Sequence, residues 1–294
     1  MTYILTIMLT IAFALLTTIG WGTSDIFGTI ASKRIGAFKT TFWVTALCVP
    51  ILSLLAPFYL FDLHGNVTAA VTLSALLGVL ITFTYLSFTE ALRIGDPSIV
   101  GTIAGSFVGL VVILSILFLG SSVSIPQILA IAIIVCGLTL TSLDLDRLKK
   151  RQFRPDRSIV LAFLAMLGWA IYFTFIKIPV EQIGWFWPEY ISAVSGLICV
   201  LLIGAKRASL HRSKIGYAIM PSLGAAALGV MGSLAYNLAL VRGSTAIIAP
   251  IAGSYPVLFV LLSYWVFKQT VTRSQKLGMI VTLAGIVGLA LVAT

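Results

Sequence analysis

Ile103-Ala104-Gly105-Ser106 and Ile251-Ala252-Gly253-Ser254 are the same four residues, 148 positions apart. One gapless offset extends the match along the chain. Adding 148 carries Gly20-Trp21 onto Gly168-Trp169, Gly36 onto Gly184, and Ala91-Leu92 onto Ala239-Leu240. The same step carries Gly95 onto Gly243, Leu114-Ser115 onto Leu262-Ser263, Gln127 and Leu129 onto Gln275 and Leu277, and Gly137 onto Gly285. Chance matches are common among apolar sequences. A four-residue block with glycines, a tryptophan and a glutamine at one offset marks an internal duplication instead. Its two units are residues 1–147 and 148–294.

Composition says what is duplicated. Of the 294 residues 60% are hydrophobic and 10% charged, where a soluble domain carries about 25% charged residues. So few charges exclude a soluble globule, and so little polarity excludes a disordered chain. A bilayer core about 30 Å thick needs about 20 apolar helical residues. That ruler gives ten spans: Tyr3–Ala31, Thr41–Phe61, Ala69–Leu92, Ser98–Leu119, Ile125–Leu143, Ile159–Ile178, Trp187–Ile203, Ile215–Leu240, Thr245–Phe267 and Leu277–Val292. Tyr3–Leu16 does not read as a signal peptide, because it lacks a basic start and a cleavage site and its apolar run continues. The fold class is therefore an all-α polytopic membrane protein of ten transmembrane helices.

Five spans per half is an odd number, so the second half enters the membrane inverted. Two inverted five-helix repeats around a central cavity are the plan of many secondary transporters. The charged segment Asp144–Ser158, with Pro155, reads as the linker. Assigning connections alternately to two sides puts 17 of the 19 Lys and Arg residues on one side, leaving Lys177 and Arg242 on the other. The positive-inside rule then places both termini outside the cytoplasm of a cell (inner or plasma) membrane. With basic residues confined to short connections, the net charge of +10 fits an anionic leaflet rather than nucleic acid. Cys48, Cys136 and Cys199 lie in apolar runs and His64 and His211 in connections, so no metal site is expected. No nucleotide, cofactor or nucleophile motif is present, so no enzyme chemistry, ATP hydrolysis or cofactor is expected.

The residues resemble the drug/metabolite transporter superfamily, EamA-type, over essentially the whole chain. The likeness rests on a Gly-Trp in the first span of each half, Ala91-Leu92-Arg93-Ile94-Gly95, and Ala239-Leu240-Val241-Arg242-Gly243-Ser244-Thr245-Ala246. Pro250, Pro256, Gln275-Lys276-Leu277-Gly278 and Gly285 complete it. The resemblance implies a cavity lined by spans one, three, four, six, eight and nine, with spans five and ten bracing the back. Two features depart from the family. Gly120-Ser121-Ser122 and Lys268-Gln269-Thr270 stand where members often carry an acid, and Asp62–Asn66 has no basic residue.

Ionisable residues inside a membrane are functional candidates. Seven of the nine acids (Asp62, Asp96, Asp144, Asp146, Asp156, Glu181 and Glu189) fall in or beside connections, leaving Asp25 and Glu90. Asp25 lies four residues after Trp21, on the same helix face. A carboxylate beside an aromatic face suits an ammonium-bearing substrate, and also a proton-coupled cycle, because burial disfavours the charged form. Hydration at the interface, or a pairing with Lys33 or Arg34, is the plainer reading. Glu90 is either a gate or coupling residue or the i, i+3 partner of Arg93. Trp21, Tyr85, Trp169, Tyr172, Tyr236 and Tyr255, with Phe173, would line an aromatic substrate pocket if they are not simply packed. Asn237 would bind substrate polar groups or bridge helices. Pro250 and Pro256 would bend span nine, as a hinge or a fixed kink. Trp185, Trp187, Tyr190, Tyr217 and Trp265 read as an interfacial belt, and Lys177 as snorkelling to the surface.

The expected function is a secondary transporter of a small metabolite, an amino acid or amine, with alternating access and protons as candidate coupling ion. An uncoupled facilitator or exporter of a neutral metabolite is the alternative, and a non-transporting membrane scaffold a more distant one. The partners expected are the small-molecule substrate and the lipid bilayer, in a monomer or homodimer.

Overall fold

The computed structural model describes residues 2–59, 66–95, 97–142, 157–207 and 215–292. Helices account for nearly all of them. The first half holds α1 (Thr2–Ile35), α2 (Ala37–Leu55), α3 (Val67–Ile94), α4 (Pro97–Gly105), α5 (Phe107–Leu119) and α6 (Ile125–Ser142), with a 3₁₀ turn, Ala56–Tyr59, after α2. The second holds α7 (Arg157–Phe175), α8 (Lys177–Ile183), α9 (Trp187–Arg207), α10 (Ile215–Leu240), α11 (Thr245–Ala252), α12 (Tyr255–Phe267) and α13 (Arg273–Val292). Among the described residues these helices make ten stretches long and apolar enough to cross a bilayer. The fourth, sixth and ninth stretches are each two helices in line, α4–α5, α7–α8 and α11–α12. This is a multi-pass membrane protein.

Several boundaries move from the sequence reading. α1 runs on to Ile35 and carries Lys33 and Arg34 in its last turn, because a helix does not stop where its apolar run does. Arg157 and Ser158 belong to α7 rather than to the linker. The rest of that linker, with Asp144, Asp146 and Asp156, lies outside the described residues, as do Asp62, His64, Asp96 and His211.

The backbone carries the duplication in detail. Among the described residues four have left-handed φ: Gly36 (83°), Gly120 (63°), Gly184 (80°) and Lys268 (53°). They form two pairs at the 148-residue offset. Gly36 and Gly184 turn the chain before α2 and before α9; Gly120 and Lys268 cap the ends of α5 and α12. The turns that follow are capped alike: Ser124 N donates to Gln127 Oε1 at 2.9 Å, and Thr272 N to Gln275 Oε1 at 3.0 Å. The quoted block is where the fourth and ninth spans break, at Ser106 and at Gly253-Ser254.

Packing is reciprocal between the halves, as inversion about an in-plane axis requires. On α1, a Cβ at Gly20 would lie 2.7 Å from Gly232 Cα on α10. The offset maps that pair onto Gly168 and Thr84, which meet where α7 crosses α3. On α6, Gly137 meets Thr282 and Gly278 of α13, and α13's Gly285 meets Ile134 of α6. Lipid offers little hydrophobic drive for helices to associate, so small residues that allow close backbone contact hold them. Hydroxyls buried in these seams return to the carbonyl four residues back, as at Thr17, Ser74, Thr82, Thr141 and Thr282. These bonds satisfy the five hydroxyls within their own helices.

Two substitutions probe this. Gly278→Leu must displace the Thr141 backbone nitrogen and the Leu140 carbonyl carbon. Overpacking of that kind costs about 1–3 kcal/mol, so thermal unfolding in detergent should shift down, and an unchanged midpoint would refute the seam. Lys268→Gly relieves a left-handed residue that costs about 1–2 kcal/mol, less the entropy of glycine. Its midpoint should rise.

Candidate functional site

The stripe Ala14, Trp21, Asp25 and Gly28 recurs on one face of α1. Ala14 is fully buried, and Trp21 packs against the central core. One turn further on the same face opens: Asp25 is exposed, and a Cβ on Gly28 would meet nothing within 4 Å. The face is interior, because Gly20 and Ser24 on one side of it contact α10 and Gly22 on the other contacts α12. The space beside Asp25 therefore opens toward the end where Lys33 and Arg34 lie, here termed the basic end. The other, which holds both termini, is the terminal end.

Aromatic side chains from both halves floor that space. The Trp21 ring lies 4.9 Å from Phe173, 5.5 Å from Tyr236 and 6.1 Å from Tyr255. Its repeat equivalent, Trp169, lies 5.8 Å from Tyr85, 4.8 Å from Phe88 and 5.6 Å from Phe107. Phe107 meets Phe173 at 5.5 Å and joins the two sets. Tyr236 Oη donates to the Phe173 carbonyl at 3.0 Å. Trp169 Nε1 is buried with no hydrogen-bond partner. Tyr85 stays 45% exposed, although its ring sits on a buried tryptophan, so its edge faces the open space.

Asp25 acts electrostatically on Tyr85 and Tyr255. Among the described residues its carboxylate has no hydrogen-bond or ion-pair partner; only its backbone carbonyl is used, by Thr29. Lys33, one candidate neutraliser, lies instead 4.2 Å over the Phe267 ring. A carboxylate facing open space within an aromatic shell has the chemistry to attract a cation.

A second acid belongs to this site and was assigned to a connection by its sequence position. Glu189, in the first turn of α9, accepts from Tyr172 Oη at 3.3 Å. On the other side of the floor, Ser233 Oγ of α10 accepts from Trp21 Nε1 at 3.4 Å. These two bonds tie α7 to α9 and α1 to α10. The stripe Glu189, Ser192, Gly196, spaced for one helix face, was the available signal: Ser192 and Gly196 are the residues that meet Gly78 and Thr82 on α3.

The sequence pattern of the EamA-like transporter family matches residues 8–143 and again 156–291. The chain belongs to the EamA-like transporter family. A protein of known crystal structure superposes with a TM-score of 0.77 at 14% identity, over 97% of each chain, which is likeness of fold. An uncharacterized protein of Methanocaldococcus jannaschii is 30% identical over 138 residues, 46% of this chain but 98% of that one. That relative has the length of a single repeat.

In this EamA-like transporter the terminal end is sealed. Phe186 and Leu52 are buried, with Val230 and Leu234, and Tyr59, Trp185, Trp187 and Tyr190 pack around them. Trp187 Nε1 donates to the Tyr59 carbonyl at 3.0 Å, and Ser53 bonds Tyr190 at 3.2 Å. Trp185, Trp187 and Tyr190, all half-buried, therefore form a plug where α2, α9 and α10 converge, a correction to the expectation of a belt of rings standing in the interface. Trp265, 75% exposed, does face outward; the Tyr217 side chain lies outside those described. Asn237 Nδ2 is engaged by the Trp185 carbonyl at 3.0 Å, which ties α10 to this plug. Glu90 is held bidentate by Arg93, Oε2 to Nε at 2.7 Å and Oε1 to Nη2 at 2.6 Å, near the basic end. Pro250 is buried inside α11 and Pro256 stands in the first turn of α12, either side of the break.

Lys177 does not snorkel. Its Nζ donates to the carbonyls of Leu240 at 3.2 Å and Gly243 at 2.7 Å and pairs with Glu181 at 3.3 Å. The unpaired carbonyls and negative dipole end of α10 attract it more than the interface does. Lys177→Met should lower stability by about 1.5–3 kcal/mol, the range for hydrogen bonds to a charged group. A detergent unfolding midpoint equal to wild type would contradict this role.

Proposed function

We propose that this EamA-like chain is a secondary transporter of a small amine-bearing metabolite, an amine or amino acid, working by alternating access of its two inverted repeats. The observation that carries this is the unpartnered Asp25 carboxylate facing open space above an aromatic floor. The ammonium of the substrate pairs with Asp25, and its apolar part lies against Trp21, Tyr85 and Tyr255. Cation–π attraction from those rings adds about 0.5–2 kcal/mol. Sites between inverted repeats, beside broken helices, are where such transporters bind substrate. Rocking of the repeats about the fixed aromatic floor opens the terminal end and closes the basic end.

The 17-to-2 distribution of Lys and Arg supports an orientation with the basic end cytoplasmic and both termini outside. In that orientation the present form is open to the cytoplasm. Alkaline phosphatase fused to the C-terminus should then be active in cells, and green fluorescent protein fused there dark. The reverse result would invert the assignment of sides.

Phenethylamine is a suitable probe, with 3-phenylpropanol as its uncharged counterpart. At about 100 times its dissociation constant a ligand adds about 2.7 kcal/mol to the stability of the purified protein. Phenethylamine should raise the unfolding midpoint of wild type and not of Asp25→Asn, and 3-phenylpropanol should raise neither. An equal shift in Asp25→Asn would remove the carboxylate from the site.

A further inference from the structure

The two tryptophan niches repeat in their rings. Trp21 packs on Tyr236 at 5.5 Å and on Tyr255 at 6.1 Å. The residues 148 positions earlier, Phe88 and Phe107, pack on Trp169 at 4.8 Å and 5.6 Å. The helix contacts beside them repeat too, Gly20 against Gly232 of α10 and Gly168 against Thr84 of α3. The two indoles therefore lie alike, each with its N–H edge turned to the same place on the neighbouring helix. On α10 that place is Ser233, whose hydroxyl accepts from Trp21 Nε1. The offset carries Ser233 onto Tyr85.

A phenol does not do what the serine does. The Tyr85 ring stands edge-on to Trp169, centroids 5.8 Å apart and planes at 76°. Trp169 is 4% exposed, and its Nε1 has no hydrogen-bond partner among the described residues. A buried N–H left unpaired costs free energy, and native structures hold few of them. Tyr85 itself is nearly half exposed, so the ring beside this donor borders the open space and has room to move aside. The same offset maps the contact of Trp21 with Phe173 onto Trp169 and Asp25. The acid and the unpaired donor thus belong to one niche, and Asp25 acts on Tyr85 electrostatically.

We infer that Trp169 Nε1–H binds an oxygen acceptor of the substrate, a carboxylate or hydroxyl carried near the ammonium, and that the Tyr85 ring gives way to admit it. The inference rests on the amine reading above and deepens it. Asp25 takes the cation, and Trp169 separates substrates that carry an oxygen from bare amines. A donor with no bond to break gains the whole of the new one. A site built around a hydrogen bond rejects the analogue that lacks the partner atom, and a carboxylate, being charged, is the stronger of the two acceptors.

Phenethylamine, 2-amino-1-phenylethanol and phenylalanine share one ring and one ammonium, and carry no oxygen, a hydroxyl and a carboxylate in turn. Ultraviolet resonance Raman spectra of purified wild type minus Trp169→Phe isolate the Trp169 N–H band. Without ligand the band should sit where an unbonded indole absorbs; a bonded position overturns the inference. Phenylalanine or 2-amino-1-phenylethanol should move it to the bonded position, and a band unmoved by both overturns the inference. Tyr85→Ser, which copies the other niche, should show the bonded band with no ligand; an unbonded band there overturns the orientation argued from the repeat. In ligand titrations followed by thermal unfolding, wild type should prefer phenylalanine to phenethylamine by about tenfold or more, the worth of one hydrogen bond to a charged group. That ratio should fall toward one in Trp169→Phe and in Tyr85→Ser, and a ratio unchanged in Trp169→Phe overturns the inference. Failure of phenethylamine to bind wild type counts against the amine reading, while the Raman band still decides the role of Trp169.

Discussion

Close backbone contact between the two halves is the constraint on which everything else depends. Lipid does not push helices together, so the approach of α1 to α10 at Gly20 and Gly232 must come from the absence of side chains there. That approach sets Trp21 against Ser233 and brings the ring within reach of Tyr236 and Phe173. The aromatic floor is thus a product of the glycine seam. A larger residue in the seam would move the tryptophan and, with it, its bond to Ser233.

The symmetry is strict in the scaffold and absent from the chemistry. Left-handed caps, glutamine-capped turns and glycine contacts all repeat at one offset. The acids do not. The position equivalent to Asp25 is Phe173, which packs on Trp21, and the position equivalent to Glu189 is Thr41. A duplicated frame supplies two similar tryptophan niches. Divergence within it gave one niche a carboxylate open to water and the other a phenylalanine, so the two faces of the layer are chemically distinct.

Most of the frame was readable from the sequence, because hydrophobic length, charge sidedness and a fixed offset are properties of the chain as a line. Ten spans and the inverted pair of five follow from those alone. Trp21, Tyr85, Trp169, Tyr172, Tyr236 and Tyr255 were also readable as a group: repeat equivalence paired the tryptophans, helical spacing added Tyr172, and the family resemblance put the spans of the other three around the cavity. Glu189 was not. Counting along the chain put it at a span edge, and only the inward turn of its side chain toward Tyr172 makes it part of the interior. Lys177 failed for a related reason: a lone cation near a span end looks like an interfacial anchor until the frayed end of a neighbouring helix is known to lie beside it. Trp185 and Trp187 had the composition of a belt and the position of a plug, and composition cannot tell which helices converge there.

The reciprocal seams also bear on how the protein is made. Gly20 waits for Gly232, Gly137 for Gly278 and Thr282, and Gly78 for Ser192. During synthesis the first five spans enter the bilayer before any of these counterparts exists. Their glycine faces then border lipid or the insertion machinery, with backbone close to the surface and no partner to cover it. Assembly is a late event in the life of the nascent chain, completed only when the last span arrives to close on α6. A single-repeat protein of the kind found in Methanocaldococcus jannaschii would have to find those counterparts in a separate molecule.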